Sequence, residues 1–172
     1  MKSLSHYITE AFDSSYKFTG KKVSNDEYSY GFDSVIKVDG DTKRSRLQVD
    51  IEGSENANDD DYLIWDIGFS RKRLPKAGAG LGVPRLSSYG MTGDGDALKI
   101  FSTVMKIAQD FVNKEDPKYI SFAAEKPDGA PRMVMATREK LYLRMAKKFF
   151  GSKFKITVKS SSTGTVFYLE KK

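Results

Sequence analysis

The chain contains no cysteine and a single histidine, His6. The first absence excludes disulfides and thiolate metal ligands, and it fits a reducing compartment. The second argues against a histidine-based catalytic triad or metal centre. Prolines stand only at 75, 84, 117, 127 and 131, so the first 74 residues carry no such strand breaker. No apolar run approaches the roughly 20 residues that span a bilayer. The first eleven residues also lack the apolar centre of a secretory signal. No membrane partner is expected.

What is present suffices for one domain with a real core: 172 residues, 39% of them hydrophobic and 30% charged. The net charge of +6 is unevenly spread. Residues 1–125 hold 17 basic and 20 acidic side chains, a balance of −3, whereas residues 126–172 hold 12 and 3, a balance of +9. A basic C-terminal third suggests an anionic partner, with an ordinary solvated basic face as the alternative.

Periodicity predicts the elements. Residues 4–12 make a short amphipathic helix. Strands follow at 28–38, 43–52 and 62–70, the first two joined by Asp39-Gly40-Asp41, a turn suited to a hairpin. The third, YLIWDIGFS, is almost continuously apolar and so belongs inside a sheet. The acidic loop GSENANDDD precedes it and lacks the spacing of an EF-hand. Residues 71–93, rich in glycine with two prolines, predict an irregular, mobile segment. A helix then runs from Ala97, capped by Asp96, with Ile100, Phe101, Val104, Ile107, Ala108 and Phe111 on one face. KYISFAAE reads as a buried strand. A second helix over 132–149 buries Met135, Leu141, Tyr142, Met145 and Phe149 while Arg138, Lys140, Arg144, Lys147 and Lys148 face out. Gly151 stops it, and two strands close the chain around SSSTG. The expected fold class is α+β, three-layer α/β/α, on a mixed and mainly antiparallel sheet with two core helices.

This order, β-β-β-α-β-α-β-β over residues 28–170, resembles the GNAT superfamily of N-acetyltransferases, although that family's first strand is not evident. The resemblance implies a cofactor, acetyl-CoA, whose pyrophosphate would sit on the turn Gly93-Asp94-Gly95-Asp96-Ala97 at the helix N-terminus. It also implies that Tyr142 protonates the departing thiolate. Glu125, ending the buried strand, and Asp66 are the general-base candidates. Two departures oppose this chemistry. Gly90 replaces the family's usual glutamine or arginine, and Asp94 and Asp96 set carboxylates where the anion belongs. At roughly 4 Å near a surface, like charges repel by about 4 kcal/mol. Asp96 as helix cap accounts for the same residues without a ligand.

The opening MKSLSHYITEA resembles a different signal. Internal proteins of T-even-type bacteriophages carry an N-terminal capsid-targeting segment of this length, with a Met-Lys start, an apolar stripe and Ile/Leu-x-Glu before a small residue. The prohead protease cuts after that glutamate. Here Leu4, Tyr7 and Ile8 form the stripe, Ile8-Thr9-Glu10 is the chain's one such triplet, and the cut falls between Glu10 and Ala11. An amphipathic helix packed on the domain is the alternative. The resemblance implies a tag at 1–10 and a single GNAT-like domain at 11–172. It also implies contact with the phage capsid or scaffold through the tag, and residence in the virion interior, then the host cytoplasm.

Together these readings point to a virion-packaged, acyltransferase-like but non-catalytic protein with no cofactor or metal. It would bind a host protein or non-specific DNA. Arg144, Lys147, Lys148, Lys153 and Lys155 are the anion-binding candidates. The alternative is an active acetyl-CoA-dependent N-acetyltransferase.

Overall fold

A computed structural model of the chain describes residues 14–73, 86–87, 97–125, 132–162 and 164–172. The expected helix at 4–12, the Glu10–Ala11 bond, the Asp96 cap and the Gly93–Asp96 turn lie outside these residues, as does most of 71–93. The protein is α+β. Its strands are β1 (Thr19–Ser24), β2 (Glu27–Val38), β3 (Asp41–Ser54), β4 (Ile64–Arg73), β5 (Leu86–Ser87), β6 (Tyr119–Glu125), β7 (Phe154–Ser160) and β8 (Gly164–Lys171). The helices are α1 (Ala97–Glu115) and α2 (Arg132–Phe150). Hydrogen bonding orders the strands β1-β2-β3-β4-β6-β8-β7, with β5 pairing back on β4.

The chain forms two compact units. The first contains Tyr28–Asp50 and Phe69–Ile107 together with the chain up to Val23. Its β2 and β3 alternate strictly: Tyr28, Tyr30, Phe32 and Ser34 are buried, as are Ser45, Leu47 and Val49. The intervening Asp33, Val35, Arg44, Arg46 and Gln48 are exposed. Asp39 and Gly40 both take positive φ, 51° and 81°, which makes the two-residue type I′ turn that right-twisted strands favour.

In this unit α1 is buried on more than the single face its periodicity predicts. Every side chain from Ile100 to Met105 is buried, Ser102 and Thr103 included. The extra cover comes from residues 14–18. The Tyr16 N–H donates to Thr103 Oγ1 at 2.9 Å, the Lys106 ammonium to Ser15 Oγ at 3.1 Å, and the Lys99 ammonium stands 4.2 Å from the Tyr16 ring. Tyr16 in turn stacks on Phe32, 5.8 Å between centroids. Thr103 satisfies its own hydroxyl on the Lys99 carbonyl one turn back.

The second unit contains Ile51–Gly68 and Ala108–Lys172, with Ser24–Glu27. Its strand registers define the two faces. Trp65, Ile120, Leu169 and Ile156 stand side by side on one; Asp66, Ser121, Tyr168 and Thr157 stand side by side on the other. Both helices pack on the apolar row's face. Phe111 of α1 meets Trp65 at 4.9 Å, and Tyr142 of α2 meets Phe167 edge-on at 6.2 Å. The helices also touch each other, through Gln109 Nε2 donating to the Phe149 carbonyl. Among the described residues of this unit both helices lie on one face of the sheet, two layers where three were expected. The other face carries Asp66, Ser121 and Thr157 and so offers less apolar surface for a helix to bury. Among the described side chains of α2, Met145, Ala146 and Phe150 are the most deeply buried, Phe150 more so than the expected Phe149, while that of the expected Met135 lies outside them.

Candidate functional site

The second unit holds a seam where two parallel strands part. β4 and β6 pair from Ile64 with Tyr119 to Asp66 with Ser121, and no further within this unit. β6 meanwhile stays paired with β8 along all seven residues, Tyr119–Glu125. Backbone N–H and C=O groups that leave a ladder must find other partners, so a parting seam offers hydrogen bonds to whatever enters it.

Asp66 marks the last rung. It is exposed on the polar row and accepts a hydrogen bond from Ser121 Oγ at 2.8 Å. Ser121 is itself buried. Gly68 follows on the same face, and a Cβ built there would meet nothing within 4 Å. The pleat of β4 sets Asp66 on the face opposite buried Trp65 and Ile67; the Ser121 partnership, 55 positions away, is not written in either strand alone.

Tyr142 stands in the opposite layer. Half-buried on α2, its ring lies against Phe167 on the helix-covered face. The sheet thus separates Asp66 from Tyr142 in this unit. Glu125 ends β6 opposite Gly164. Ala97 opens α1, but the remainder of the Gly93–Ala97 turn is outside the described residues.

The basic candidates divide between layers too. Arg144, Lys147 and Lys148 are exposed on the C-terminal half of α2. Lys153 follows in the turn, its ammonium 3.5 Å from Asn113 Oδ1 of α1. Lys155 is opposite Glu170 on the face away from α1 and α2, where Lys159 also stands, 5.2 Å from the Tyr168 ring. Phe154 takes the covered face beside them, against Phe150, so strand alternation turns Lys155 away from the α2 lysines.

A further polar cluster was not anticipated. Asp59, in the acidic loop, accepts from the Lys118 ammonium at 2.6 Å and from the Tyr119 hydroxyl at 2.9 Å. The Lys118 hydrogen bond, seconded by Tyr119, holds the Asp59 carboxyl below the usual carboxylate range. The same pairing raises Lys118 above the ordinary lysine value. Lys118 also lies 4.2 Å from the Tyr62 ring, so one ammonium ties the loop to the start of β6.

No protein-family model, no curated protein and no solved structure matches the chain.

Proposed function

We propose that this is a bacteriophage internal protein, packaged in the virion through its first ten residues and trimmed between Glu10 and Ala11. Residues 11–172 then act as a GNAT-like domain that binds a host protein or DNA without transferring acyl groups. The tag-like start supports the packaging. The order of three strands, helix, strand, helix and two strands from β2 to β8, the two-residue β5 apart, supports the GNAT-like reading.

One observation supports the non-catalytic part: of the described candidate side chains, Asp66 and Tyr142 do not stand together. Asp66 is engaged by Ser121 on one face of the second unit, and Tyr142 packs on Phe167 on the other. A general base and acid must both come within hydrogen-bond reach of the reacting atoms. Asp94 and Asp96 add electrostatic opposition to a pyrophosphate.

Mass spectrometry of purified virions tests the packaging. A mature N-terminus at Ala11 is expected; only full-length protein, or none in the particle, overturns it. Calorimetry with acetyl-CoA tests the chemistry. Binding no tighter than about millimolar, worth roughly 4 kcal/mol, is expected. The second reading, an active acetyltransferase, is favoured by the opening seam and the empty space over Gly68. Micromolar acetyl-CoA affinity, lost when bulky residues replace Gly93 and Gly95, would establish that reading instead.

A further inference from the structure

β2 carries a glycine, Gly31, in its middle. Glycine weakens a strand interior, so its presence there has a local reason: an unusual backbone angle, a close neighbour, or space kept for a ligand. The first does not apply, because among the described glycines only Gly40 and Gly164 have positive φ. Nor does the second. A Cβ at Gly31 would meet only the Leu47 carbonyl oxygen, at an ordinary 3.8 Å. Space remains.

Two depressions of about 340 and 460 Å³ adjoin over Gly31 on the first unit's exposed sheet face, sharing Thr19, Gly31 and Arg46 as lining. Each is the size of a small-molecule site. Their charge is one-sided. Lys17, Lys21 and Arg46 line them, and the one carboxylate in the lining is Asp33. Asp33 is already engaged, receiving Arg46 Nε at 2.8 Å and Nη2 at 2.9 Å. That two-point pair fixes the guanidinium plane, as a surface for stacking requires. It leaves the positive charge of Lys17 and Lys21 uncompensated within the lining.

We infer that this trough binds a nucleotide, its base lying over Gly31 against the Arg46 guanidinium and its phosphate between Lys17 and Lys21. A flat floor without a side chain suits a ring, and two lysines suit a phosphate. The inference depends neither on packaging nor on acyl transfer. The nucleotide's source is either a free mononucleotide or a single strand.

The full-length protein is titrated by NMR or calorimetry with the common mononucleotides, adenosine, inorganic phosphate and a short single-stranded oligonucleotide. At least one mononucleotide is expected to bind below millimolar, with the nucleoside and phosphate roughly tenfold or more weaker. An oligonucleotide that binds more tightly per site identifies a strand as the source; equal binding identifies the free nucleotide. Gly31→Val fills the trough with a residue strands favour, and should cost roughly tenfold or more in affinity while the melting temperature holds or rises. The Lys17→Ala, Lys21→Ala double variant should weaken binding and flatten its salt dependence. Three results would overturn the site: no mononucleotide binding below millimolar, full affinity in Gly31→Val, or phosphate alone binding as well as the nucleotide.

Discussion

Asp59 shows what one carboxylate organises at the residue scale. Its folded-state pKa is depressed, first by the Lys118 hydrogen bond and then by that of Tyr119. A depressed carboxyl contributes stability that is complete above its unfolded pKa and lost as pH falls through the folded value. Acidification below about pH 4 should therefore destabilise the wild type more than Asp59→Asn, followed by denaturant unfolding across pH. Parallel pH curves for the two would remove Asp59 from the account. Two glycines offer a second test. A Cβ at Gly20 would lie 2.2 Å from the ring of buried Tyr30, whereas one at Gly31 touches nothing closer than 3.8 Å. Gly20→Ala should cost roughly 1–3 kcal/mol through overpacking, and Gly31→Ala should stay within about 0.5 kcal/mol. Equal midpoint shifts in chemical denaturation would contradict the close packing of β1 on Tyr30.

Among elements, the rows across the second unit's sheet matter most. Trp65 and Phe111 meet inside it, and Phe111 is fully buried. Phe111→Ala should cost about 3–5 kcal/mol in thermal or denaturant unfolding, because the packed helix and sheet cannot close over the missing ring. A cost under about 1 kcal/mol would mean that α1 does not anchor this unit. In the first unit, the segment 14–18 is tied to α1 and β2 by Ser15, Tyr16 and Phe18. These ties begin after the proposed cut. Removing residues 1–10 should leave the melting temperature unchanged, whereas removing 1–18 exposes helix surface and should lower it by several degrees. Fully burying one aromatic is worth about 1.5–3 kcal/mol, and each kcal/mol is about 2–4 °C for a chain this long. Equal melting temperatures for the two truncations would deny the strap its role.

For the whole molecule, the decisive quantity is charge. The chain carries +6, concentrated as +9 in residues 126–172. Non-specific duplex binding should weaken steeply as salt rises, since each phosphate that a lysine or arginine neutralises releases counterions. Charge reversal at Lys147 and Lys148 should lower both the affinity and the salt slope, the slope by roughly 0.9 for each phosphate left unneutralised. Reversal at Lys155, which sits on the face away from α1 and α2, should act separately and add to the first effect. Unchanged binding in the Lys147/Lys148 variant, measured by filter retention or fluorescence, would reduce these lysines to solvated surface.

Sequence by itself determined the elements whose signal is local. The helical spacing of Ile100 to Phe111, the alternation in β2 and β3, the Asp39-Gly40 turn and the two closing strands were all legible, because each is written in neighbours only a few residues apart. β1 was not, since TGKKVS exposes all six side chains and so carries no alternation. β5 is two residues within a stretch rich in breakers and exists by pairing with β4. Tertiary structure alone decided which face receives the helices, that the 14–18 strap covers Thr103, and that Asp66 meets Ser121. It also decided the Asp59 cluster with Lys118 and Tyr119, and the trough that opens over Gly31. The hydrogen bonds among these meetings join positions 55 to 87 residues apart. Nothing in the local periodicity of either partner encodes the other; they come together through the register of whole strands and through which faces remain apolar enough to bury.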